Sequence, residues 1–264
     1  MLNALEQIFD RKKLMKRFAI VAALWACFST PLLAFEINSM SDEERQIFRD
    51  EVRSYLLSNP EVLIEAIGVL EQRQEAAASV GDEELIAVNS AALFDDDGSY
   101  VGGNLDGDVV MVEFLDYKCG FCKRAFPEVS ELIRTDGNIR FIIKEFPILG
   151  EQSVLASRFA ISVLQNADAE TYAEVHDNLM AFRGEISTAS LERLADTLGL
   201  DVPKIMKGMN ADAVTAVIAE NRALAQRMDI NGTPGFVIGN QMLRGYMPLD
   251  GMRELVAGIR QASQ

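Results

Sequence analysis

The chain has 264 residues, 49% of them hydrophobic, and a formal charge of −15 at pH 7. That length allows one large domain or two small ones, with ample apolar material for a packed core. Such acidity argues against nucleic acid as a partner and favours solubility, without choosing a substrate.

The first segment reads as an export signal. In "MKRFAIVAALWACFSTPLLAFE", Lys16 and Arg17 precede an apolar run from Phe18 to Phe28, then Ser29-Thr30-Pro31 and the small Ala34. A signal peptide over 1–34, cut at Ala34/Phe35, is expected, with Met15 as an alternative start. An uncleaved membrane anchor is the rival, since residues 18–35 reach the length of a span. Cys27 is read as a passive residue of that run, not a lipidation site. Once residues 1–34 are removed, Cys119 and Cys122 are the only cysteines. The expected location is the periplasm or another exported compartment, where disulfides persist.

Residues 35–80 read as a helical extension. Ser41-Asp42-Glu43-Glu44 is a capping box opening a helix through about Leu57. Asn59-Pro60 starts a second helix that runs to about Ala78. Ile47, Phe48, Val52, Tyr55, Leu56, Leu63, Ile64, Ile67 and Leu70 form an apolar stripe in need of a partner. It either docks on the main domain or lets residues 36–80 assemble a homo-oligomer, a trimer or a dimer.

Residues 81–264 have an α/β texture. "AALFDDDGSYVGG" predicts two short strands around Asp97-Gly98. "DVVMVEFLDY" predicts a strand buried on both faces. A helix runs from the cysteines to about Arg134, and "NIRFIIKEFPIL" is the next strand. Residues 151–228 form a block of helices. "GTPGFVIGNQMLRGY" is a hairpin turning near Gly239-Asn240, and a last helix opens near Pro248.

Cys119-Gly120-Phe121-Cys122 sits where the buried strand hands over to a helix. Two thiols at this spacing can close a disulfide, hold a metal or sit in a core. A bridge across two residues restrains little of the unfolded chain, so a purely structural disulfide is a weak reading. A helix N-terminus favours a thiolate, and Lys118, Lys123 and Arg124 add positive charge. Cys119, at the exposed edge, is therefore the expected nucleophile, and Cys122 the buried resolving thiol. The same pair is half a zinc site, but zinc wants three or four ligands, and the one histidine, His176, is far away in sequence. It is read as a helix-face residue without a catalytic role. Glu113 is an acid inside an apolar strand, read either as a charge escaping at a sheet edge or as a buried carboxyl that accepts the Cys122 proton. Lys144 is a candidate partner for it, or an ordinary exposed strand lysine. Asp95–Asp97 is read as a loop.

"VEFLDYKCGFCKRAFP", followed by "NGTPGF", resembles the thioredoxin superfamily and within it the DsbA-like branch. The helical stretch before "GNLDGDVVMVEFLDYKCGFCK" is similar to ScsC-like exported proteins, some of which oligomerise through such an extension. The resemblance covers about Asn104 to the C-terminus. It implies a thioredoxin-like α/β fold with an inserted helical domain at about 151–228, preceded by an N-terminal helical extension. It implies a redox disulfide between Cys119 and Cys122, a cis Thr233–Pro234 bond that presents the Thr233 backbone to an extended client, and an acid at Glu113. The expected function is a thiol–disulfide oxidoreductase, an oxidase or an isomerase, needing no organic cofactor. Its expected partners are client proteins and a membrane redox partner that recycles the active site. A copper- or zinc-binding carrier using the same thiolates is the alternative. A glutathione-dependent enzyme on the related fold is a third reading, for which a C-x-x-C is not the expected motif. Gly120-Phe121 departs from strongly oxidising members, which resemble this chain but carry a histidine there. The redox poise, roughly −270 to −120 mV among such enzymes, therefore stays open.

Overall fold

The computed structural model describes residues 40–262. The expected signal, Cys27 and the Met15 start lie outside the described residues. The chain divides into two compact units, Met1–Gly68 and Val69–Gln264.

In the first unit, α1 (Asp42–Ser58) opens on the Ser41 capping box. The Ser41 hydroxyl accepts from the Glu44 N–H (3.3 Å), and the Glu44 carboxylate accepts from the Ser41 N–H (2.8 Å). This satisfies two of the free donors of the first turn and sets the start of the helix. Ile47, Phe48, Val52, Tyr55 and Leu57 are all exposed, and α1 buries no residue. The next helix, α2, spans Glu61–Val88, ten residues beyond the expected end near Ala78, and the division between the units falls inside it. The polar tail read as a stop is rich in Ala and Glu, whose helix propensity outweighs the roughly 1 kcal/mol cost of Gly81.

The second unit holds a five-stranded sheet of order β1-β3-β2-β4-β5. Its strands are β1 (Tyr100–Gly103), β2 (Val109–Leu115), β3 (Ile139–Glu145), β4 (Gly235–Ile238) and β5 (Gln241–Arg244). β2 and β3 are parallel; the other pairs are antiparallel. Only one of the two strands expected around Asp97-Gly98 forms. Ser90–Phe94 is instead a short helix, α3. A five-residue apolar run carries too little periodicity to tell helix from strand, and here the burial of Leu93 against the sheet decides it.

Between β2 and β3 runs α4 (Gly120–Asp136), which ends on Gly137 in the left-handed region (φ 72°). Between β3 and β4 lie five helices: α5 (Glu151–Asn166), α6 (Ala169–Ala181), α7 (Thr188–Thr197), α8 (Val202–Gly208) and α9 (Asp212–Arg227). The last helix is α10 (Leu249–Ala262). Glu128 of α4 fixes its start, accepting from the Tyr246 hydroxyl (2.7 Å) and the Leu249 N–H (2.6 Å). No helix among the described residues is long and apolar enough to cross a membrane.

Both faces of β2 are covered, which explains its near-continuous apolar run. One face carries Met111, Glu113 and Leu115 into the core shared with α4, α5 and α6. The other carries Val112 and Phe114 against Leu93, Leu224 and Met228. Strand alternation also corrects the reading of Lys144. It pairs in register with Phe114, whereas Glu113 pairs with Ile143, so Lys144 faces away from Glu113. Lys144 is fully buried, with Nζ 2.8 Å from Asp96 and 2.7 Å from the Ala92 carbonyl. The Asp95–Asp97 loop thus supplies the counter-ion that makes this burial tolerable.

Candidate active site

Cys119 is the N-cap of α4, with extended backbone (φ −72°, ψ 119°). Its Sγ accepts from the Cys122 N–H (3.4 Å), and its S–H donates to the Thr233 carbonyl (3.1 Å). Thr233–Pro234 is cis, and Pro234 is buried. Two segments 114 residues apart in sequence therefore meet at one sulfur. Both cysteines are free thiols in this structure.

Cys119 is 6% exposed, so it lies nearer the core than the exposed edge expected for it, while its neighbour Phe121 is 59% exposed. Hydrogen bonding from Cys122 foremost, then from Thr233 and the N–H groups of Cys122 and Phe121, brings the Cys119 thiol down to about 5 against the opposing effect of burial. Cys122 is fully buried. Its thiol is pushed up by its hydrogen bond to Cys119, by burial and by the Glu113 carboxyl. Two of the three charged neighbours expected to tune the pair have other engagements. Lys123 Nζ donates to the Phe182 carbonyl (2.5 Å), and the Arg124 guanidinium lies 4.6 Å from the Tyr246 ring centre.

Glu113 is buried, with one carboxylate oxygen lacking any hydrogen-bond partner. Burial first, and the nearby Cys119 second, push its pKa up to about 8. It lines a cavity of about 220 Å³ together with Tyr100, Phe126, Val129, Ile143 and His176. The reading of Glu113 as an edge charge is thereby excluded. The structure thus brings Cys119, Cys122, Glu113, Thr233 and Pro234 together, and Lys144 lies apart from them.

A second polar cluster was not visible in the sequence. Glu145, at the end of β3, is buried and accepts three hydroxyl hydrogen bonds: Tyr117 (2.8 Å), Tyr172 (2.6 Å) and Ser157 (2.6 Å). Burial pushes its carboxyl up to about 7, the hydroxyls acting in the opposite direction. His176 Nδ1 lies 3.2 Å from the Tyr117 hydroxyl, so this histidine faces inward, and burial draws its pKa down to about 4. Asp116, wholly buried, accepts from the N–H groups of Lys118 (2.8 Å), Ile148 (2.8 Å) and Leu149 (3.0 Å). The turn from β2 into α4 is thus held from two sides, by Asp116 on its backbone and by Glu145 through Tyr117. A signal existed for Asp116 alone, whose carboxylate two residues before an N–H is an Asx turn. Among the described residues no group of three or more His, Cys, Asp and Glu side chains is placed to hold a metal ion.

Comparison with known proteins fits this geometry. Residues 110–257 match the DSBA-like thioredoxin domain, and residues 44–77 match the copper resistance protein ScsC N-terminal domain. The thiol-disulfide exchange protein alpha-DsbA2 from Wolbachia pipientis is 30% identical, with a TM-score of 0.65, over 69% of this chain and 98% of that one. A linker-deletion mutant of Proteus mirabilis ScsC is 27% identical, with a TM-score of 0.65, over 86% of this chain and 100% of that one. Among curated sequences, the Na(+)/H(+) antiporter NhaA 1 of Salinispora arenicola is 30% identical over 69% of this chain. The chain spans only 28% of that relative's length.

Proposed function

The chain belongs to the DSBA-like thioredoxin family, and on that premise we propose that it is an exported thiol–disulfide oxidoreductase acting on client proteins. The observation that carries the proposal is the geometry around two adjacent sulfurs: Cys119 Sγ caps α4, accepting from the Cys122 N–H beside the cis Thr233–Pro234 bond, and Cys122 is fully buried. Those donors lower the Cys119 pKa, while its hydrogen bond to Cys119 and its burial raise that of Cys122. In the reducing direction the Cys119 thiolate attacks a client disulfide, one client thiolate leaves, and a mixed disulfide forms on Cys119. Cys122 then loses its proton to Glu113, attacks the Cys119 sulfur and releases the client. In the oxidising direction a client thiolate attacks the Cys119–Cys122 disulfide, Cys122 leaves, and a second client thiol completes the client's own bond. A membrane redox partner then takes the two electrons from the reduced pair. The Thr233 carbonyl, already at hydrogen-bond distance from Cys119, is the backbone edge along which an extended client lies.

Trapping tests these roles. Cys122→Ser is expected to accumulate covalent complexes with clients, and Cys119→Ser to accumulate few. Equal trapping by both would overturn the assignment.

The exposed stripe of α1, with Leu63, Ile64 and Ile67 of α2, supports self-association through residues 36–80. Most helical stability comes from packing an apolar face, and α1 buries no residue, so its stripe needs a surface to dock on. An oligomer would hold several Cys119 sites on one assembly, an arrangement suited to isomerisation. Light scattering on the chain lacking residues 1–34, compared with one starting at Gly81, tests it. An oligomer that becomes monomeric on truncation, with isomerase activity reduced and oxidase activity kept, is expected. A monomeric longer form leaves a simple oxidase. Metal content of the reduced protein tests the carrier alternative, for which the described residues supply no third ligand.

A further inference from the structure

Three cations gather on Lys123 near the start of α4, the helix that Cys119 caps. Lys118 is exposed and immediately precedes Cys119. Lys123 lies one turn into α4, its ammonium anchored on the Phe182 carbonyl (2.5 Å). Arg183, exposed, follows Phe182 directly. The anchor therefore ties the start of α4 to the segment between α6 and α7 and brings all three charges to one rim. Their mutual repulsion is felt: Lys123 is drawn below its ordinary pKa by burial first, then by Arg183 and by Lys118. Among the described residues none of the three forms an ion pair. The acid nearest to Lys118 along the chain, Asp116, is buried and spends its oxygens on three backbone N–H groups.

Like charges gathered without counter-ions cost stability. In a chain of net charge −15 they also oppose the sign of the whole molecule. A local field of that kind acts on whatever approaches Cys119. We infer that the Lys118–Lys123–Arg183 rim makes the site selective for client segments carrying acidic residues beside the reacting cysteine. Carboxylates flanking the client sulfur would supply the counter-ions that the rim lacks, while the exposed Phe121 offers an apolar contact between them. The inference rests on the exchange chemistry proposed above and adds its substrate class.

The test uses the whole chain, reduced and freed of reductant, with three small disulfides as probes: anionic glutathione disulfide, cationic cystamine and neutral hydroxyethyl disulfide. In each reaction the Cys119 thiolate attacks one substrate sulfur and the substrate S–S bond breaks. Cys122 then closes the enzyme disulfide, two electrons pass to the substrate, and two small thiols are released. Oxidation is followed by alkylation and mass measurement, and each rate is divided by the neutral-disulfide rate of the same variant. This removes intrinsic changes in thiol reactivity. The overall charge of the protein favours the cationic probe, so preference for the anionic one reports the rim. At low ionic strength the anionic rate is expected to exceed the cationic by about tenfold or more. That ratio should shrink in high salt. Lys118→Gln and Arg183→Gln should each lower it severalfold. Equal rates, a cationic preference, or a ratio indifferent to both variants overturns the inference while leaving the exchange reaction intact. Failure to react with the neutral disulfide overturns the exchange reading, and the inference with it.

Discussion

Two buried glutamates lie on the same face of the same sheet in opposite circumstances. Glu113 on β2 pairs in register with Ile143, and Glu145 on β3 pairs with Leu115, so the two stand one strand and one side-chain repeat apart. Glu145 is met by three hydroxyls, from Tyr117, Tyr172 and Ser157. Glu113 has an oxygen with no partner at all and a cavity in front of it. A buried acid with all its partners joins elements together: here Glu145 ties the helices α5 and α6 to the turn that carries Cys119. A buried acid without them is costly to keep, and its one evident use is to take and release a proton. The sheet thus separates holding from proton transfer by the number of hydrogen-bond donors supplied to each carboxyl.

The largest expected effect breaks the holding side. Glu145→Ala removes the acceptor of three buried hydroxyls and should destabilise the protein by about 4 kcal/mol, since each unsatisfied buried hydroxyl costs about 1–3 kcal/mol. Glu145→Gln keeps one acceptor oxygen and should cost about 1 kcal/mol. Urea unfolding of the reduced protein measures both. Because Glu145 is tied through Tyr117 to the turn that carries Cys119, both variants should also shift the pKa of the Cys119 thiol, read from thiolate absorbance. A large stability loss with an unmoved thiol pKa would leave Glu145 as a scaffold residue only.

A smaller effect sharpens the comparison through pH. Both glutamates have folded pKa values above their unfolded ones, about 8 and about 7 against 4.5. The stability they favour is full below pH 4.5 and is lost as pH rises through 7 and then 8. Cys119 behaves oppositely. Its folded pKa, about 5, lies below the ordinary 9.0, so its contribution to the reduced form grows from pH 5 to pH 9. In the wild type the trends oppose each other. Cys119→Ser removes the thiolate and should leave a stability that falls with pH between about 5 and 8. The difference between wild type and variant should reach about 2–3 kcal/mol by pH 7, at 1.4 kcal/mol per unit. Parallel curves would show that Cys119 is not held as a thiolate.

The sequence carried this comparison only in part. For Glu113 the run "VVMVEFL" left two readings, a charge at a sheet edge or a buried carboxyl, and the cover on both faces of β2 decides for burial. The Cys119–Cys122 pair was legible because a strand-to-helix handover is a local event. Glu145 was hidden in "FIIKEF" beside Lys144, which looked the better partner for Glu113. Its donors lie 12, 27 and 28 residues away along the chain, and no local pattern records such distances. His176 was legible as a helix-face residue, but not its contact with Tyr117: helical periodicity gives a face, not what that face meets. Ser90–Phe94 is too short to show a period, and at the end of α2 helix propensity continues through a polar stretch that carries no stop.

The smallest expected change in stability is also the one that separates the two acids most sharply. Glu113→Gln cannot ionise, so it escapes the penalty that the wild-type carboxyl meets as pH approaches 8. Its amide is as poorly partnered as the acid it replaces, which offsets much of that gain. The net expectation is little change at pH 5 and stabilisation by about 1 kcal/mol at pH 8. Glu145→Gln is expected to destabilise at both. Kinetics should move the other way. Without a carboxyl to accept its proton, Cys122 stays protonated, so release of the mixed disulfide should slow by about 10²-fold while attack by Cys119 is little altered. Stopped-flow formation and decay of the mixed disulfide separate the two steps. A variant that gains stability at pH 8 and loses only the release step identifies Glu113 as the proton acceptor. An unchanged release rate would mean that Cys122 passes its proton by another route, and that the unpartnered oxygen is a cost without a use.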